Sequence, residues 1–228
     1  SCDWEKAGGL MKNEEYNIKL AAYIEQLQEL RKEAVSLATG IIGETLCTDD
    51  LFFCASVDRC IRLIDGLIPM LKDRNLTCVG VLLRMQMDNC MRTYAAFIAE
   101  DRNAVIRYIL DGTPIKSLKD VNGNKMLDGY LKDEVAKIDP IFSEVYNNAS
   151  GYVHLSEKAF YQTVDFCDNY EIGIQIGQPL PEKRNAPLLE AAAAYIHFVN
   201  LHFKMLQAVV ESKQRFDASQ TENESQEV

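Results

Sequence analysis

Between residues 14 and 37 apolar side chains return every three or four positions: Ile18, Ala21, Ala22, Ile24, Leu27, Leu30, Ala34 and Leu37, with charged residues between them. That interval matches the turn of an α-helix and predicts a long amphipathic helix from Glu14 to about Leu37. The next run, "CTDDLFFCASVDRCIRLIDGLIPMLKD", opens with Thr48 as the expected N-cap. Asp49 and Asp50 follow in the first turn, where negative charge suits the helix dipole. This second helix should end near Lys72. A third, beginning near Thr77, carries "VGVLLRMQMDNCMRTYAAFIAE", and a short fourth, "RNAVIRYIL", stops at Asp111-Gly112.

Turn residues dominate "TPIKSLKDVNGNKM", with Asn122-Gly123 as the strongest break. Helical spacing resumes in "MLDGYLKDEVAKI" and again in "DPIFSEVYNNASGYVH", where Asp139 reads as the N-cap and Pro140 as the first helical residue. "FYQTVDF" and "YEIGIQIG" alternate with a period near two, so a small β-hairpin is expected near 161–177, turned by Cys167-Asp168-Asn169-Tyr170. A last long helix, "LLEAAAAYIHFVNLHFKMLQAVV", precedes a polar tail poor in apolar residues. The pattern predicts an all-α fold, a bundle of about five to seven helices with that one small hairpin. Residues 1–212 should form a single helical domain, and 213–228 a disordered acidic tail.

Composition narrows the function classes. With 228 residues, 47% of them hydrophobic, the chain can bury a substantial core. The balance of 24 basic against 34 acidic residues gives a formal net charge of -10, which argues against a broad electrostatic grip on nucleic acid, though not against a local basic patch. Seven cysteines are scattered, with no C-x-x-C pair and no Cys/His cluster at zinc spacing, so neither a metal nor another cofactor is expected. An odd count of cysteines set in apolar runs suits a reducing compartment. No apolar run approaches the roughly 18 residues of a membrane span, and the first twenty residues lack a basic start followed by an apolar stretch. These features predict a cytoplasmic chain without a membrane partner.

Two helices carry candidate chemistry. At about 100° per residue, the third helix places Gln86, Asn89, Thr93 and Glu100 on one face, expected to be solvated. Leu83, Met87, Cys90, Met91, Tyr94, Ala95, Phe97 and Ile98 form a wide apolar arc. Arg84 falls beside Met91 and Ala95, with Asp88 one turn later and Arg92 two turns later. A core-facing arginine needs a partner, because burying a lone charge is costly. Either Arg84 and Asp88 pair along their own helix, or they floor a polar pocket. On the later helix, Phe142, Val145, Tyr146, Ala149 and Val153 should face inward, with Ser143, Asn147, Ser150 and His154 along the border. His154 can act as a general acid or base near neutral pH, and equally can cap the end of its helix. His197 and His202 lie about 140° apart around one helix, poorly placed to share a metal.

An all-helical chain, an Arg followed by an acidic residue one turn on (Arg84, Asp88), and a later helix ending in Tyr146-x-x-x-Ser150-x-x-x-His154 resemble the HEPN superfamily. These are helical domains common in prokaryotic toxin-antitoxin and phage-defence systems. The resemblance spans residues 50–210 in architecture. Members that cleave RNA carry an Arg, a polar residue and, after four to six positions, a His. Asn147, Asn148 and His154 match that spacing, but Asn147 stands where the arginine would be. Asn cannot supply the positive charge with which an arginine stabilises the phosphate, so the resemblance implies a non-cleaving relative that binds RNA, a nucleotide-like ligand or a protein. The alternatives are a metal-independent ribonuclease in which Arg84 or Arg92 works with His154, and a helical interaction module without a small-ligand site. The ligand set is then Arg84, Asp88, Arg92, Tyr146, Asn147 and Ser150, with His154 as the catalytic candidate. The resemblance also implies a homodimer.

Overall fold

A computed structural model of the chain describes residues 13–112, 114–154, 156–166, 172–174, 176–177 and 184–226. Helix α1 (Asn13–Ile42) buries Leu27, Leu30, Ala34, Leu37 and Ile41, a three-four alternation that forms one continuous seam. It ends at Gly43, whose φ of +57° places it in the left-handed region used to stop helices, and whose N–H reaches the Thr39 carbonyl at 3.2 Å. Helix α2 (Thr48–Lys72) begins one residue earlier than Thr48 capping would require: Cys47 is the N-cap, and the Asp50 carboxylate accepts the Cys47 N–H at 2.7 Å. Helix α3 (Leu76–Ile98) is capped by Asn75, whose side-chain oxygen accepts the Cys78 N–H at 3.1 Å. Helix α4 (Arg102–Asp111) and a 3-10 turn (Ile115–Ser117) follow.

The expected break at Asn122-Gly123 is a tight turn organised by Asp120. Its buried carboxylate accepts the N–H groups of Asn122 at 3.0 Å and Asn124 at 2.7 Å and the Tyr130 hydroxyl at 2.5 Å. The Tyr130 hydrogen bond, helped by those to Asn124 and Asn122, outweighs burial and lowers the Asp120 pKa to about 2. Tyr130 lies in the first turn of helix α5 (Asp128–Ala136), so this turn is fixed to the helix it introduces.

Helix α6 (Phe142–Val153) starts later than expected. Asp139 is not its side-chain cap: its carboxylate pairs with His197 at 2.5 Å, and only its carbonyl meets the Phe142 N–H. Helix α7 (Glu157–Thr163) takes the first part of the segment expected as a strand. The hairpin is shorter, β1 (Val164–Phe166) antiparallel to β2 (Ile172–Ile174), and the Cys167–Tyr170 turn lies outside the described residues. Helix α8 (Asn185–Gln226) absorbs the region expected to be a disordered tail from residue 213. Lys213 is buried there and ion-paired with Asp50, so the polar composition of the tail conceals an anchored helix.

The fold is all-α apart from the hairpin, with eight α-helices among the described residues. α1, α2, α3 and α8 pack around the main core, and α5 and α6 pack on α3. Gly40 of α1 meets Val210 of α8, Arg74 after α2 bonds Asn185 at the start of α8, and the Cys90 thiol meets the Phe198 carbonyl. These contacts make α1, α3 and α8 run in one direction and α2 in the other. No helix among the described residues is long and apolar enough to cross a membrane.

Candidate functional site

Helix α3 lies between α2, α8, α5 and α6, so almost its whole circumference is covered. Gln86, Asn89 and Thr93, expected on a solvated face, are therefore buried, and only Glu100 of that group is exposed. For Asn89 and Thr93, partners from the facing helices make this tolerable, whereas the Gln86 amide has no hydrogen-bond partner among the described residues. His202 on α8 sets its Nε2 3.2 Å from Ser56 Oγ and 3.1 Å from Thr93 Oγ1, and Asn89 donates to the Ser56 carbonyl at 2.9 Å. Burial holds the imidazole neutral, lowering its pKa to about 3. The Gln86 amide lies beside the Cys60 thiol, which burial pushes up to about 12. Cys90 is also raised by burial, so neither thiol is a nucleophile at neutral pH.

The opposite side of α3 opens onto a cleft. Its walls are Arg59 of α2, Val81, Arg84, Met85 and Asp88 of α3, Tyr146, Ser150 and Val153 of α6, and His154 just beyond, around a volume of about 380 Å³. Close approach of α3 to α6 shapes it: Tyr152 packs so tightly on Gly80 that any side chain there would overlap the ring.

Arg84 does not pair with Asp88 along the helix. Its guanidinium lies 3.7 Å from the centre of the Tyr146 ring and donates to the Tyr146 hydroxyl. Asp88 instead accepts from Arg59 at 3.0 Å and contacts Arg92 at 3.0 Å, and Arg92 also reaches Asp128 of α5 at 2.6 Å. A stacked guanidinium in contact with a phenol keeps donors available for an anion, while the Asp88 charge is balanced by two arginines. Tyr146 is half-buried, and burial raises its pKa although the neighbouring Arg84 opposes this. The Ser150 hydroxyl donates to the Tyr146 carbonyl at 2.8 Å and retains its acceptor capacity.

Of the residues singled out in the sequence, Arg84, Asp88, Tyr146, Ser150 and His154 converge on this cleft. Arg92 lies behind it, engaged by the two aspartates, and Asn147 is exposed on α6 without lining it. Val153, expected inward, is 49% exposed and forms part of the cleft wall. His154 is the C-cap residue in an extended conformation, with no hydrogen bond from its ring among the described residues, so it is not a side-chain cap. Arg59 escaped notice in the sequence. Its place one residue before buried Cys60 and three after buried Ser56, at the margin of the α2 core stripe, is the signal that would have found it.

The cleft thus combines two arginines, an exposed imidazole, one neutralised carboxylate and an apolar wall of Val81, Met85 and Val153. It can bind an anion and an attached apolar or flat group. A hydrogen-bonded His–carboxylate pair exists in the molecule, but it is His197 with Asp139, between α8 and the segment before α6. Comparison with protein-family profiles, curated proteins and solved structures finds no match.

Proposed function

We propose that the cleft between α3 and α6 binds a phosphate-bearing ligand, RNA or a nucleotide, without cleaving it, in a cytoplasmic HEPN-like protein of the defence-related kind. The observation that carries this reading is the placement of Arg84 and His154 on one open cleft, with Arg84 in ion pairing with no carboxylate among the described residues. Guanidinium groups suit phosphate oxygens through their planar fork of donors. Asn147 in place of the motif arginine, and a His154 with no orienting carboxylate, favour binding over catalysis.

Alanine at Arg84 or His154 is expected to weaken binding of RNA or nucleotide at least tenfold while circular-dichroism melting stays unchanged. Unaltered binding by both variants removes the reading. Sedimentation of the same preparation tests the homodimer that the resemblance implies.

One observation favours a second reading. Because Arg84 lines the same cleft as His154, it is better placed than Arg92 to stabilise charge on a phosphate while His154 transfers a proton. A metal-independent ribonuclease of this design would cut RNA in the presence of chelator and lose that activity in His154→Ala. Intact RNA after incubation with nuclease-free protein leaves the binding reading alone. A helical interaction module without a ligand site is weighed against by the cleft itself.

A further inference from the structure

We infer that the ligand is one nucleoside monophosphate, its phosphate on Arg84 and its base against Val81, Met85 and Val153, and not a polynucleotide strand. The inference rests on the phosphate-binding reading of the same cleft and narrows its ligand. A volume of about 380 Å³ falls at the small end of ligand sites, which run from about 300 to 1,000 Å³.

Charge limits the ligand to one phosphate. Among the cleft arginines, Arg59 is paired with Asp88 and Arg84 with no carboxylate among the described residues. The flanking cations are likewise engaged: Arg92 by Asp88 and Asp128, and Arg62 by Asp58 at 2.6 Å. A strand leaving the cleft would need further cations for its next phosphates, and these arginines are already spent on carboxylates. Strand-binding surfaces also offer aromatic faces for successive bases. Here the Tyr146 ring is covered by the Arg84 guanidinium, so that platform is occupied. What remains for a single base is the apolar wall, where Met85 is 38% exposed and Val153 is 49% exposed. A thioether and a branched alkyl group suit the face of one heterocycle.

Calorimetric titration of the full chain with AMP, inorganic phosphate, adenosine and a short 5′-hydroxyl single-stranded RNA tests this. AMP should bind at least tenfold more tightly than phosphate or adenosine, and no more weakly than the RNA. Arg84→Gln and Met85→Glu should each weaken AMP binding tenfold or more. Met85 is surface-exposed, so its variant should melt as the parent does and remains decisive if Arg84→Gln is unstable. RNA binding tenfold tighter than AMP overturns the single-nucleotide inference and leaves phosphate binding standing. Phosphate binding as tight as AMP, or indifference of Met85→Glu, removes the base subsite. Absence of binding by all four probes overturns both this inference and the reading beneath it.

Discussion

His202 shows that residue type alone does not tell whether a polar side chain meets water. It is fully buried between Ser56 and Thr93, and neutrality is the condition of its burial. Desolvation depresses its folded pKa from 6.5 to about 3, so the unfolded chain takes up a proton first as the pH falls. The stabilisation is complete above about pH 6.5 and is lost as the pH drops towards 3, at a limit on the order of 5 kcal/mol. Urea unfolding between pH 7 and 5 should therefore show stability falling with acidification. His202→Gln should flatten that slope, and an equal slope in the variant would assign the effect to other groups. Gln86, Asn89 and Thr93 teach the same lesson. A helical wheel equates polar with solvated, which holds for a helix with one free side and fails for α3, covered on nearly all of them. The Arg84 direction was legible, since its place in an apolar arc required a partner, but the partner is an aromatic ring on another helix, which spacing within one helix cannot reveal.

Between elements, the junction of α8 with α2 depends on a buried ion pair. Lys213 is inserted against Asp50, whose carboxylate also accepts the N–H of Cys47, the N-cap of α2, and it reaches the Thr45 carbonyl. Removing one member leaves a charge buried without its counterpart, which typically costs about 3–5 kcal/mol. Lys213→Ala should lower stability by about that amount in denaturant titration, whereas Asp50→Asn with Lys213→Met should recover most of it. Equal losses in the single and double variants would mean that the pair is not coupled. Low apolar content caused the tail to be read as disordered, because composition does not register a lysine whose partner lies 163 positions earlier. By contrast, α2, α3 and α4 were legible nearly to their ends, because each carries its own three-four spacing and boundary signals, whereas α1 runs more than a turn past Leu37, to Ile42. The "FYQTVDF" alternation misled because a short helix, α7, runs into β1 within it.

For the whole molecule, the question is where the folded unit ends. Asp217 accepts the N–H of Glu44 at 3.0 Å and Lys213 sits at the α1–α2 corner, so α8 is part of the bundle wall as far as Asp217. A chain ending at Ser212 should melt about 6–12 °C lower than the full chain, the shift expected of about 3 kcal/mol in a protein of this size. A chain ending at Thr221 should melt as the full chain does. Identical melting of both truncations would return the boundary to residue 212. The all-α class could be read from the sequence, whereas the meeting of α3 with α6 around one cleft could not: that depends on Gly80 admitting the Tyr152 ring.

The placement of α8 also bears on biosynthesis. Its 42 residues reach about 63 Å and complete a core begun by α1, with partners as far apart in sequence as Glu44 and Asp217. A ribosome releases α1, α2 and α3 long before the strut that covers their shared seam, so the emerging chain carries exposed Leu, Ile and Met side chains until α8 has been made. Contacts this remote in sequence slow folding and prolong that exposure. Nascent copies are accordingly most vulnerable to aggregation, and most dependent on chaperone shielding, until the final helix has left the exit tunnel.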